Sequence, residues 1–285
     1  MQLGVVYPQI ELRGDPEAVA AIARATESQG YDYLLMFDHV AGVERSDRPR
    51  PLLGPYSEKD PFHDPLVTFG FVAGITHRIG LATGILVLPQ RQTVLVARQA
   101  ADVDLFSGGR LRLGVGVGWN AVEYQALGQD FHARGARLDE QIPLLRQLWQ
   151  ECPIAFQGKF DAVDRAGLNP LPRRTIPIWC GGGSSAAFRR AARLGDGFIF
   201  SGRFESNILP GWQEVQRLLE KEGRRVDRFG AECLMPDGMK LADAINMLRR
   251  WQDAGGTHFG VRTMGLGFTE ANQHIDYIAE FLARI

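Results

Sequence analysis

Long apolar runs are missing from this 285-residue chain, and so is any surplus of one charge. No stretch approaches the roughly 18 consecutive apolar residues of a membrane span. A net charge of −1 leaves no whole-molecule footprint for nucleic acid or an anionic membrane. Lysine is scarce: four of 32 basic residues, Lys59, Lys159, Lys221 and Lys240. None ends an expected strand, so a Schiff-base aldolase or pyridoxal enzyme lacks its amine. Cys152, Cys180 and Cys233 are odd in number, widely spaced and set among apolar residues. They fit reduced core thiols, not a disulfide framework or a zinc site. His63-Asp64 has no third ligand at metal spacing, and Asp64 before Pro65 reads as a helix cap. Residues 1–8 lack the basic segment of a signal peptide and read as a first strand, so a cytoplasmic protein is expected.

Glycine is the residue in excess, 33 in all, and one pattern of it recurs. Gly30 precedes an apolar run at 31–37, Gly80 one at 81–86, and Gly108-Gly109 one at 110–117. Gly195-Asp196-Gly197 precedes 198–200, and Gly255-Gly256 precedes 257–261. Each glycine closes a helical pattern, where a left-handed residue is cheapest without a Cβ. Each run is short and apolar, as strands buried on both faces are. Asp15-Pro16 and Asp64-Pro65 are helix starts with proline in the first turn. Leu138, Ile142, Leu145 and Leu148 mark one helical face, and Ile275, Ile278, Ala279 and Leu282 another. With strands near 3–7, 176–180 and 230–235, eight strands alternate with eight helices. Such alternation means a parallel sheet, and eight units over this length predict one closed (β/α)8 TIM barrel spanning 1–285. Two inserted segments, 39–63 after strand two and 153–175 before strand five, are long for this fold and are lid candidates.

The strand at 110–117 runs into Gly114-Val115-Gly116-Val117-Gly118-Trp119-Asn120. Gly116 to Ala121 matches a dinucleotide fingerprint, which requires an acid about twenty residues on at the end of a second strand. Asp139 and Glu140 lie at that distance but in a helical pattern, so the Rossmann reading fails. Alternate glycines instead let a flat ligand or another backbone come close. Gly181, Gly182, Gly183 and Ser184 follow strand five and open a helix, offering free N–H groups to an anion. Ser201-Gly202 is a second polar turn on the same face, where barrels of this class often hold phosphate. His39 ends strand two on that face, a position that favours contact with a ligand.

Tyr31-Asp32, Phe37-Asp38-His39, Asp64-Pro65-Leu66-Val67-Thr68, residues 83–89, Ser107-Gly108-Gly109-Arg110-Leu111, Gly114 through Asn120, and Gly181 through Gly197-Phe198 occur in order. Together they resemble the bacterial luciferase-like flavin monooxygenase superfamily over nearly the whole chain. Residues 90–139 resemble its deazaflavin (F420) oxidoreductase branch in particular. The resemblance implies a barrel binding F420, or alternatively FMN, with a non-prolyl cis peptide at Gly84-Ile85 against the ring. It implies phosphate contacts at Gly181, Gly182, Gly183, Ser184, Ser201 and Gly202, further cofactor contacts at Gly116, Gly118 and Asn120, and His39 beside the ring as the catalytic residue. The sugar-phosphate dehydrogenase branch carries a glutamate directly after its glycine string, where this chain has Trp119. An FMN monooxygenase supplied by a reductase and a non-catalytic flavin-binding barrel are the other readings. A deazaflavin tail would need a basic groove, with Arg173, Arg174, Arg189 and Arg203 as candidates. The helix carrying Arg189, Arg190 and Arg193 otherwise reads as a solvated face. A homodimer acting on a small-molecule substrate is expected.

Overall fold

The computed structural model describes residues 1–48, 51, 52 and 54–285. In chain order the elements begin β1 (Gln2–Val6), α1 (Pro16–Ser28), β2 (Tyr33–Met36), α2 (Pro65–Ile75), β3 (Gly80–Thr83), β4 (Leu86–Val87) and α3 (Thr93–Ser107). They continue through β5 (Leu111–Gly116), α4 (Ala121–Ala126), α5 (Arg134–Gln150), β6 (Ile154–Gln157), β7 (Ala162–Ala166), β8 (Ile178–Gly181) and α6 (Ser185–Leu194). The last are β9 (Gly197–Phe200), α7 (Leu209–Lys221), β10 (Gly230–Leu234), α8 (Leu241–Asp253), β11 (His258–Arg262) and α9 (Ala271–Arg284).

The parallel strands run β1, β2, β3, β5, β8, β9, β10, β11 and back to β1, which closes a (β/α)8 barrel. The strand expected at 81–86 is broken in two. A cis peptide at Gly84-Ile85 separates β3 from β4, and β4 continues alongside β5 with Val87 opposite Gly116. The segment 153–175 contains the antiparallel hairpin of β6 and β7. Asp15 and Asp64 cap α1 and α2 as their Asp-Pro pairs predict, each carboxylate accepting N–H groups of the first turn.

Three expectations need correction. Gly30, Gly108, Gly109 and Gly255 are left-handed, but Gly195 is extended (φ −88°, ψ 159°) and Gly80 opens β3, so those two are not left-handed helix ends. Cys180 and Cys233 are buried, and burial pushes the Cys180 thiol up to about 12. Cys152 is exposed and does not belong to the core. Arg190 is buried rather than solvated, donating from Nε to Asp139 at 2.7 Å and from Nη2 to the Gly135 carbonyl at 3.0 Å. Among the described residues, no helix is long and apolar enough to cross a membrane.

Candidate active site

Barrel strands present their carboxyl ends on one rim, and neighbouring strands bring their following loops together there. The rim order β2, β3, β5, β8, β9 therefore assembles His39, Gly84-Ile85, Gly118-Trp119, the Gly181 turn and the Ser201 turn side by side. A cleft of about 300 Å3 opens on this rim, lined in part by His39, Tyr56, Ile85, Trp119, Asp237 and Arg262. Gly84, Gly118 and Ser201 line it too.

Gly116, Asn120 and the Gly181 turn do not line the cleft, and each has another task. A Cβ on Gly116 would lie 2.7 Å from Ile85 Cδ1, and one on Gly181 2.5 Å from Ile85 Cγ2. The glycines of β5 and β8 thus form the notch that receives the Ile85 side chain. At both positions the group that comes close is the Ile85 side chain. Asn120 is 2% exposed and caps α4, its Oδ1 accepting from the N–H groups of Val122 and Glu123.

The amino end of α6 faces outward. Gly182, Gly183, Ser184, Ser185 and Ala186 are all exposed, and the first N–H groups of a helix have no partner within it. Ser184 is the N-cap and accepts from the Ala187 N–H. Gly182 (φ +137°) and Gly202 (φ +107°) hold conformations that residues with a Cβ rarely adopt. Open N–H groups, a helix dipole and two such turns on adjacent strands fit the phosphate of a flavin-type cofactor.

His39 sits edge-on to three rings, with centroids 5.2 Å from Tyr56, 4.9 Å from Phe62 and 5.6 Å from Trp119. Its Nδ1 faces the Glu123 carboxylate at 3.4 Å. Glu123 also accepts from Val40 N–H (2.5 Å), Ala41 N–H (3.1 Å) and Gln90 Nε2 (3.0 Å). Burial pushes its carboxyl up, but the hydrogen bonds from His39, Gln90 and the Ala41 N–H outweigh it, and the pKa lies below the ordinary value. Across the cleft, Arg262 pairs with Asp237 through Nε and Oδ1 at 2.5 Å. Burial raises the Asp237 carboxyl against the pull of Arg262.

Three of these residues escape a reading of sequence. Glu123 stands three residues after a cap asparagine, where it looks like the acid of a capping box. Arg91 reaches Asp38 (2.7 Å) and Asp64 (2.8 Å), the residues that flank 39–63, and so ties both ends of that segment together. Asp237 lies in a turn without a motif. Of the candidate tail arginines, Arg174 binds Asp104 and the Leu111 carbonyl at the opposite end of β5, and Arg173 precedes it on that segment. Arg203 follows Gly202 directly and Arg189 lies on α6, and both are exposed.

A family model described as luciferase-like monooxygenase matches residues 2–231. An uncharacterized protein of Mycobacterium tuberculosis is 30% identical over 240 residues, 83% of this chain and 81% of that one. An F420-dependent glucose-6-phosphate dehydrogenase of Nakamurella multipartita is 30% identical over 246 residues, 84% of this chain and 67% of that one. Among solved structures, an F420-dependent secondary alcohol dehydrogenase in complex with an F420-acetone adduct is 16% identical. It superposes with a TM-score of 0.76 over 98% of this chain and 97% of that one. A monooxygenase of Streptomyces bottropensis, 18% identical, gives 0.77 over 100% and 99%. These two likenesses speak for the fold.

Proposed function

The chain belongs to the luciferase-like monooxygenase family, and from that premise we propose that it is an F420-dependent oxidoreductase acting on a small, uncharged organic substrate. The observation that carries this reading is one rim on which His39 and Ile85 share a cleft beside an open, glycine-built anion cradle. The relative named as an F420-dependent dehydrogenase supports the deazaflavin over FMN. When bound, the deazaflavin supplies the hydride chemistry.

The chain's own groups supply the rest. Gly182, Gly183, Ser184 and Gly202 would hold the phosphate, with Arg189 and Arg203 nearby for an acidic tail, and Gly84-Ile85 would bear the ring. His39 exchanges the proton with the substrate oxygen, while Tyr56, Phe62 and Trp119 keep water from its imidazole. Arg262 is the one cation among the described residues lining the cleft, and Asp237 neutralises it. With Trp119 in the place of an acid, that pairing argues against a phosphorylated sugar as substrate.

Fluorescence titration of the purified protein is expected to give F420 binding at least about tenfold tighter than FMN, a gap of about 1.4 kcal/mol. Tight FMN binding without F420 binding would overturn the reading in favour of a flavin monooxygenase served by a reductase. In Gly182→Ala, the new Cβ meets Ala187 Cβ at 3.1 Å in a left-handed conformation. Its F420 dissociation constant is expected to rise about tenfold while the unfolding temperature stays near wild type.

We also propose that the chain forms a homodimer through α2 and α3. No charged residue occurs in α2, and its Val67 and Phe71 are 70% and 47% exposed; Phe106 on α3 is 74% exposed. Gly70 and Gly74 leave open space beside them, so knobs and hollows share one face, as a two-fold contact needs. Sedimentation is expected to show a dimer for wild type and a monomer for Phe71→Arg/Phe106→Glu. A wild-type monomer would remove the proposal.

A further inference from the structure

Glu123 accepts from three donors, the N–H groups of Val40 and Ala41 and Gln90 Nε2, and faces His39 Nδ1; none of these contacts is explained by its place as the third residue of α4. Its side chain is 1% exposed. The Asn120 side chain accepts the Glu123 N–H and fixes the first turn of α4, so the carboxylate projects from a rigid helix start. Oε1 takes the N–H groups of Val40 and Ala41, the two residues after His39. Oε2 takes Gln90 Nε2 and faces His39 Nδ1. The histidine is therefore held twice, through its ring and through the backbone that follows it.

We propose that Glu123 is the positioning residue of this site: it fixes the proton of His39 on Nδ1 and leaves the Nε2 lone pair for the substrate. An ionised carboxylate only accepts hydrogen bonds, so a ring nitrogen facing it must carry a proton. In a neutral imidazole the other nitrogen is then the acceptor. The hydrogen bonds that hold the Glu123 carboxyl below its ordinary pKa keep it ionised near neutrality, consistent with that role. The same carboxylate anchors the start of the 39–63 segment at Val40 and Ala41, while Arg91 ties that segment's ends. One buried charge thus sets both the proton's place on the ring and the ring's place in the cleft. The consequence for turnover rests on the function proposed above, but the assignment of the proton does not.

Long-range proton–nitrogen spectra of 15N-histidine protein test this, with the His39 signals assigned by their loss in His39→Asn. Wild type, observed in the neutral form of the imidazole, is expected to show protonated Nδ1 and unprotonated Nε2. Glu123→Gln, whose amide can present a donor to Nδ1, is expected to move His39 toward the Nε2-protonated form. Glu123→Asp withdraws the carboxylate by one methylene and is expected to give a mixture, which provides a second variant if the amide fails to fold. With F420 and substrate, Glu123→Gln is expected to lower kcat at least about tenfold with KM within about threefold. A neutral wild-type His39 protonated on Nε2 and not on Nδ1 would overturn the proposal, and so would an unchanged tautomer in both variants. A tautomer shift in a protein that wild type shows to have no F420 turnover would uphold the assignment and reject the proposed activity.

Discussion

A His39→Asn variant is expected to lose about 10²- to 10⁴-fold in turnover, the range a positioned acid–base group contributes. Its F420 dissociation constant and its unfolding temperature are expected to stay near those of wild type. The separation follows from where the side chain lies. His39 follows β2 and contacts Glu123, Tyr56, Phe62 and Trp119, whereas the turns proposed to hold the anion follow β8 and β9, which pair with each other and not with β2. Asparagine keeps a short polar group that can still donate to Glu123, so the buried carboxylate is not abandoned. Steady-state kinetics with reduced and oxidised F420, next to a binding titration, check this. A loss below about fivefold would remove His39 from proton exchange, and parallel loss of cofactor binding would recast it as a cofactor contact.

Acidification below pH 6.5 is expected to remove stability through two histidines, the buried His274 and the half-buried His258. Burial, then the charges of Arg112 and the amino terminus, lowers His258 from 6.5 to about 3. Burial alone lowers His274 to about 4. Both pKa values are depressed on folding, so between about 4 and 6.5 the unfolded chain binds more protons than the folded one. Stability is then fully present above 6.5 and is lost as pH falls. At pH 5 each histidine withdraws about 2 kcal/mol, or about 4 kcal/mol together, on the order of half of an ordinary domain's stability. Glu232 and Asp38 act in the opposite sense, because burial raises both carboxyls. The histidine contribution is therefore read as a difference. The fall in unfolding temperature between pH 7 and pH 5 is expected to be steeper in wild type than in His258→Asn/His274→Asn. Equal slopes would show that neither histidine is held neutral.

His258 belongs to a cluster inside the barrel that no sequence pattern announces. Glu232 of β10 accepts from Tyr33 Oη at 2.7 Å and faces Arg112 Nη2 of β5 at 2.9 Å. The Arg112 guanidinium lies between the Tyr33 and Trp179 rings, 4.5 and 4.1 Å from their centroids. Each of these residues sits singly in its own strand, Tyr33 and His258 being 225 positions apart, and closure of the barrel alone brings them together. The same holds for Arg91, whose two carboxylate partners flank a segment of 25 residues.

The sequence by itself determined the barrel, because its signals are local. Apolar runs, Asp-Pro caps and glycines after helices act over a few residues, and their repetition around the chain leaves one closed arrangement. It also marked His39, the Gly181 turn and Ser201-Gly202 as rim positions, since the carboxyl end of a barrel strand can be read from strand order; Gly84-Ile85 came from the family resemblance, because the apolar run 81–86 reads as one unbroken strand. Only the tertiary structure decided what those positions do to one another. It filled the notch of Gly116 and Gly181 with Ile85, gave Asn120 to the start of α4, and sent Arg174 to the far end. It also brought Glu123 to His39 across 84 positions. The reason is physical: periodicity fixes which face of an element is buried, but a hydrogen bond is fixed by the packing distance between elements, and that exists only once the barrel has closed.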